Sequence, residues 1–480
     1  PHPARLVRNR LALRLRTAAA LFRGEADARA EAQHLLGEDA KALAAPAGLA
    51  AIFGYHSKDD AKRLTTLMPM AQDLLVQALV APQDQLLSQA LGDLADRVES
   101  GRHDGPRQRV AALSNMTRPM AEQAERMADI WAGRKPVPEP EKAEQRPRDT
   151  FSNPAYGQFA LKSLLAVLIT YTIYTAGGWF EIHTAMITCF YVALGTTGET
   201  LHKAGLRILG CLIGAAMGIG SIAFLMPHMT DIGQLLVLVG IGSFIAAWVA
   251  QGSSLIQYMG WQMALAFFLC VLQGFGPSFD IDVATNRIVG ILIGNVVVTI
   301  VFLWLWPNSV AVLTAGHLAK AVEGLGNAIR SRANGLAPVG AELKEARRLS
   351  RVSAFEPGRL RATSPLLPHA EAIMTTIGAV EHSIARLRLL QQRPRYLFGA
   401  PICVKAATLA QQTSAGRFLD VASWSILAPD KEAKARLLDA FTQSKETLVR
   451  LQTVLAKSPK RAAWRRDLEQ TADAHRELID

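Results

Sequence analysis

The chain has 480 residues, half of them hydrophobic, and a formal net charge of +11. Residues 155–307 hold only four basic residues (Lys162, Lys203, Arg207, Arg287) and five acidic ones (Glu181, Glu199, Asp231, Asp280, Asp282), so the basic surplus lies in the flanks. The four cysteines show no metal-ligand spacing and no disulfide framework, and no signal peptide, phosphate loop or nucleophile–base motif is present.

The chain opens on "PHPARL" without an initiator Met, which reads as a processing boundary. Residues 1–150 predict a helical cytoplasmic domain and linker. "ARLVRNRLALRLRTAAALF" places Leu, Val and Ala at helical spacing with arginines between them. "LTTLMPMAQDLLVQALV" and "QLLSQALGDLADRVESG" come next, with Pro69 expected ahead of a helix. "GRKPVPEPEKAEQRPRD" is a proline- and charge-rich linker.

Residues 151–307 predict a transmembrane domain. A crossing helix needs about 20 apolar residues, and six runs qualify: 159–176, 180–197, 204–226, 232–250, 255–274 and 284–306. "GG" at Gly177–Gly178, "TGETLHKAG", "PHMTDIG", "QGSS" and "GFGPSFDID" are expected to separate them. Lys and Arg precede the first run, come after the sixth and occupy the second–third connection. The connections near Asp231 and Asp280 lack them. This bias predicts both flanks on the cytoplasmic side.

"RILGCLIG" at Arg207–Gly214 and "RIVGILIG" at Arg287–Gly294 are nearly alike. They lie 80 residues and three crossings apart, which predicts a 3+3 inverted repeat. Each arginine is read at the start of its run. Arg207 can be a flank residue snorkelling to the cytoplasmic interface, whereas Arg287 enters against the positive-inside bias, and an anion path or an internal partner explains it better. Gly210, Gly214, Gly218, Gly290 and Gly294 repeat every four residues, a spacing for close helix packing. Lys162, Gln257, Gln262, Gln273 and Asn295 are further polar residues inside the runs. Glu181 and His183, near the outer end of the second, fit either a proton relay or an interfacial polar cap. Trp179, Trp248, Trp304 and Trp306 near run ends fit an aromatic belt.

Residues 308–480 predict a second helical cytoplasmic domain, through "VLTAGHLAKAVEGLGNAIRSRA", "HAEAIMTTIGAVEHSIARLRLLQQ" and "AKARLLDAFTQSKETLVRLQTVLA". The basic helices lack aromatic interleaving, which argues against nucleic acid and for charge at a membrane surface. The fold class is therefore all-α, a polytopic membrane protein with helical flanks. The stretch from Pro307 onward weakly resembles the start of the chain, as though another six-span block preceded residue 1.

The six-span block, the paired Arg-Ile-x-Gly-x-Leu-Ile-Gly motif and the "FLWLWP" ending resemble the fusaric-acid-resistance/aromatic-acid-exporter (FUSC) family of bacterial inner-membrane proteins. The resemblance covers about 155–320, and the flanks by architecture only. Members usually carry two such blocks, so the resemblance implies a C-terminal portion of a longer protein. It also implies efflux of small, often aromatic, carboxylates or drugs, with a periplasmic adaptor and an outer-membrane channel as partners. Plant aluminium-activated malate transporters look distantly similar and favour an anion path by analogy. The expectation is a proton-coupled, non-enzymatic exporter of organic anions in the inner membrane, a homo-oligomer without a cofactor or metal. A passive anion channel and a membrane-anchored scaffold or envelope factor are the alternatives.

Overall fold

The computed structural model describes residues 3–36, 38, 40–52, 57–79, 81–104, 117–137, 154–253, 255–273, 276–277, 281–330, 336–391, 396–462 and 464–479. Apart from a two-residue antiparallel pairing of Leu272–Gln273 with Gly276–Pro277, the regular structure described is helical. The chain divides into two compact units. One comprises residues 1–144, 313–348 and 365–480, the other 145–312 and 349–364.

In the first unit the N-terminal flank forms α1 (Pro3–Arg23), α2 (Ala28–Leu36), α3 (Ala40–Ile52), α4 (Lys58–Ala78), α5 (Gln85–Ser100) and α6 (Arg118–Trp131). Leu11, Leu15 and Phe22 of α1 meet Leu64, Met68 and Leu74 of α4, Leu87 and Leu91 of α5, and Trp131 of α6 in one core. The helical spacing of "ARLVRNRLALRLRTAAALF" thus buries its apolar face, but one arginine goes inside with it. Arg14 is fully buried, and donates Nε to Gln72 Oε1 at 2.8 Å and an Nη to Glu38 Oε2 at 2.6 Å. Pro69 lies within α4 rather than ahead of it. Ser57 caps that helix, its side chain accepting from Asp59 N at 3.2 Å, so the helix begins eleven residues upstream of the proline.

The C-terminal flank forms α13 (Val310–Arg330), α14 (Ala337–Val352), α15 (Gly358–Arg361), α16 (Ala370–Gln391), α17 (Ile402–Leu427), α18 (Lys431–Lys457) and α19 (Arg465–Ile479), after the six helices of the membrane block numbered below. Leu318 and Leu325 of α13, Met374, Ile377 and Ile384 of α16, Leu419 of α17 and Leu478 of α19 make a second core, which Val76 of α4 joins.

The second unit holds the apolar runs. They form α7 (Pro154–Ala176), α8 (Thr184–Val192) after a turn at Phe180–Ile182, α9 (Thr197–Gly220), α10 (Ile232–Gly252), α11 (Gln257–Val271) and α12 (Ile281–Trp304). Among the described residues, three helical stretches are long and apolar enough to cross a membrane: 154–176, 232–252, and 197–228, in which α9 continues through a π turn and a 3-10 turn. The stretches 180–192 and 288–304 are apolar but shorter. α10 shows how the block meets its surroundings. Ile232, Leu236, Val237, Phe244 and Trp248 are each more than 60% exposed, a surface suited to lipid rather than water.

Two boundaries depart together from the hydropathy pattern. Apolarity alone carries the second run to 197 and starts the third at 204, with "TGETLHKAG" between them. Instead α8 stops at Val192 and α9 starts at Thr197. Thr196 is the reason. Its backbone is extended, its Oγ1 accepts from Glu199 N at 3.2 Å, and the hydroxyl donates to the Glu199 carboxylate at 2.7 Å. A Thr-x-x-Glu cap of this kind starts a helix whatever the polarity of its first turns.

Candidate functional site

Because α9 starts seven residues earlier than hydropathy predicts, Arg207 lies well inside that helix instead of at its mouth, with only 4% of its surface exposed. Its place is set by how closely the helices approach. A Cβ on Gly210 would stand 2.6 Å from Met259 O, one on Gly214 2.3 Å from Met263 O, and one on Gly218 2.5 Å from Cys270 Cβ. All three glycines therefore face α11. On α12, a Cβ on Gly290 would meet Thr184 Oγ1 at 2.3 Å, and one on Gly294 would meet Ala185 O at 2.5 Å, so these two face α8. No side chain larger than hydrogen fits at any of the five without moving a neighbouring group.

The α9–α11 approach places the guanidinium of Arg207 among neutral groups. One Nη donates to Tyr258 Oη at 2.9 Å and to Gln262 Oε1 at 3.0 Å; the other donates to Thr188 Oγ1 of α8 at 3.2 Å. Tyr191 lies under the guanidinium, its ring centroid 5.7 Å away, and Lys203 Nζ stands 5.0 Å from the Tyr258 ring. Among the described residues no carboxylate lies within ion-pair distance of Arg207. Several polar atoms of these helices are buried and unmatched. Arg207 Nε and Gln262 Nε2 have no hydrogen-bond partner. Asn295, 1% exposed and next in sequence to Gly294, has none for either amide atom, nor has Thr184 Oγ1. A buried charge without a counter-charge, beside buried amide donors without acceptors, is expensive as it stands, and an anion is the chemistry that relieves it.

The other sequence-predicted residues are placed differently. The side chain of Arg287 lies outside the described residues, as does Asp280, although the backbone of Arg287 belongs to α12. Glu181 and His183 are exposed and turn to separate partners. The Glu181 carboxylate accepts from Asn286 Nδ2 at 3.0 Å, and His183 Nδ1 stands 3.3 Å from the carbonyl of Phe180. Asn286 in turn accepts from Trp179 Nε1 at 3.2 Å. Asp231 caps α10, accepting from Gln234 N at 3.1 Å.

The lysine at 162 has a structural role that its place inside an apolar run does not reveal. It is 2% exposed, and its Nζ donates to the carbonyl of Trp306, just past the end of α12, and stands 5.5 Å from the ring centroid of Phe302. A cation suits that position, where helix carbonyls lack partners. Glu356, in the connection after α14, is buried and accepts from Val310 N at 3.0 Å and Ser309 Oγ at 3.2 Å, so it caps α13. Burial pushes its carboxyl above the ordinary range despite those bonds. Sequence reasoning missed Thr188, Tyr258 and Glu356. The available signal for the second was a shared spacing: Lys203 and Arg207 are four apart on α9, and Tyr258 and Gln262 are four apart on α11.

Residues 153–301 match the family model described as "Fusaric acid resistance protein-like". This block is the one that carries the paired arginine–glycine motif. The chain is also similar to the protein named "Multidrug resistance protein MdtO" in several bacteria. It is 37% identical over 183 residues to that of Escherichia coli O6:H1 (strain CFT073), covering 38% of this chain and 27% of the relative. The Shigella flexneri protein gives the same figures, and that of Escherichia coli (strain K12) is 38% identical over 164 residues, 34% of this chain and 24% of the relative. The chain thus spans about a quarter of the length of these curated relatives.

Proposed function

We propose that this protein is a component of an efflux transporter of the bacterial inner membrane, and that it carries small organic anions, aromatic carboxylates or drugs among them, past Arg207. The observation that carries the reading is the arginine itself, buried among Thr188, Tyr258 and Gln262 with no carboxylate beside it among the described residues. The similarity to multidrug resistance proteins supports the export direction and a drug-like range of cargo. In the same reading all six apolar runs cross the bilayer and both flanks lie in the cytoplasm. The packing of α9 on α11 and of α12 on α8 supports two three-helix halves. In each, the third helix lies on the second helix of the other, an exchange expected of an inverted repeat. Arg287 would then be the counterpart of Arg207 in the other half.

The proton gradient would drive export, with Glu181 and His183 at the outer end as a proton relay. A homo-oligomer working with a periplasmic adaptor and an outer-membrane channel completes the proposal. Uptake of labelled benzoate into inverted membrane vesicles, with and without a pH gradient, tests it. Accumulation that collapses with the gradient and fails in Arg207→Gln supports the reading. Downhill flux alone would indicate a passive channel, and no flux at all a scaffold.

A further inference from the structure

The unit built from the two flanks contains a cleft of about 510 Å³ that the transport reading does not use. Its walls come from both flanks. α2 supplies Arg29, the end of α4 and the turn after it supply Leu79 and Pro82, α16 supplies His382, Arg386 and Leu390, and α19 supplies Gln470 and Glu477. The volume lies in the range of small-ligand sites, which combine apolar walls with a few convergent polar groups.

The charges in the cleft are unbalanced. Arg386 is paired with Glu477, Nη to Oε1 at 2.5 Å. The guanidinium of Arg29 has no carboxylate within ion-pair distance among the described residues, and its bond to the carbonyl of Leu79 is a long one, 3.5 Å. His382 lines the cleft beside Arg29 and Glu477; burial, then the charge of Arg29, hold its imidazole below the ordinary value. Gln470 Oε1 is buried at the wall with no hydrogen-bond partner. The cleft therefore holds two guanidiniums to one carboxylate, with Arg29 left without a counter-charge among the described residues, beside an apolar wall.

We infer that this cleft binds a small organic carboxylate, with Arg29 as the principal anion contact and Ala81 and Pro82 against its apolar body. A guanidinium left without a counter-charge takes a carboxylate in its planar fork. The apolar wall favours a hydrophobic acid over a bare inorganic anion, because only the former removes apolar surface from water on binding. Since α2 and α4 belong to one flank and α16 and α19 to the other, a bound acid would bridge the flanks.

The test uses the full chain in detergent and radiolabelled benzoate in equilibrium dialysis. All variants are made in an Arg207→Gln background, so the membrane-block site does not contribute. The cleft predicts that benzoate still binds in that background, that Arg29→Gln weakens it at least tenfold, and that Arg29→Lys weakens it less. Unchanged thermal unfolding of the exposed Arg29 variants shows that the fold is intact. Inorganic phosphate should compete poorly. No binding in the Arg207→Gln background, or binding indifferent to Arg29→Gln, would overturn the inference. Phosphate competing as well as unlabelled benzoate would overturn the organic part of it. The Arg207 reading fails separately, if Arg207→Gln leaves the benzoate stoichiometry of the parent protein unchanged.

Discussion

Among the described residues two arginines are buried, Arg14 and Arg207, and their surroundings differ in one respect. Arg14, in the core under α1 and α4, has a carboxylate at 2.6 Å and an amide oxygen at 2.8 Å. Arg207, between α9 and α11, has two hydroxyls and an amide oxygen at 2.9–3.2 Å and no carboxylate among the described residues. The charge of Arg14 is matched inside the fold, and its role is to hold α1, α4 and the chain near Glu38 together. Arg207 keeps its charge available. Burial alone does not distinguish the two; the presence of an internal counter-charge does.

The sharpest way to break this comparison is to remove each charge in turn. Arg207→Gln should cut anion export at least tenfold at normal membrane abundance, because it removes a charge that no internal group requires. Arg207→Lys should fall between, keeping charge but losing the fork. Arg14→Gln should do the reverse, lowering stability by about 3 kcal/mol through the stranded Glu38 and reducing abundance, while export per folded molecule stays near wild type. Vesicle flux normalised to quantified protein reads all three. Export that survives Arg207→Gln would make Arg207 a second Arg14.

The glycine seams set a smaller effect. Gly214→Val would drive a side chain into the carbonyl of Met263, 2.3 Å from the new Cβ, and should cost about 1–3 kcal/mol. It should also displace Gln262 from Arg207, so stability and export fall together. A valine tolerated at Gly214 with unchanged unfolding temperature would refute the close approach.

Asn295→Leu sharpens the comparison from the other side. It removes two buried amide atoms that lack partners and conserves most of the volume, so the fold should be no less stable. If the unmatched donors serve the anion, export should drop about threefold to tenfold, on the scale of one lost hydrogen bond of about 1 kcal/mol. Unchanged export would mean that Asn295 stands outside the path.

The smallest effect concerns Glu381 of α16, whose carboxyl burial pushes up to about 7. A carboxyl with a raised folded value binds its proton more tightly folded than unfolded. Its contribution to stability is therefore fully present at low pH and is lost as pH rises from about 4.5 towards 7. Glu381→Gln should abolish that decline and raise the unfolding temperature by a few degrees at pH 8, with no gain at pH 4. His475 runs the other way. It is buried with both ring nitrogens unpartnered and held down to about 4, so its contribution is lost as pH falls from about 6.5 towards 4. Melting curves of the single variants across this range separate the two.

Several features of the molecule were determined by sequence alone. Periodicity and a near absence of charge identified the apolar helices, and the four-residue glycine spacing marked the surfaces that approach closely, because those properties are local to one helix. The paired motif picked out Arg207 for the same reason. Its surroundings were decided only in three dimensions. The Thr196 cap moved the start of α9 seven residues back and carried Arg207 from the mouth of the helix into its interior, and α8 and α11, distant in sequence, supplied Thr188, Tyr258 and Gln262. Arg14 looked like one of several arginines on a basic helix until the fold brought Gln72 and Glu38 to it. In sequence Lys162 is one more polar residue inside an apolar run, and only the fold brings the Trp306 carbonyl to it. In each case the residue type is written in the sequence, but what its charge answers to is set by groups that only folding brings within hydrogen-bond distance.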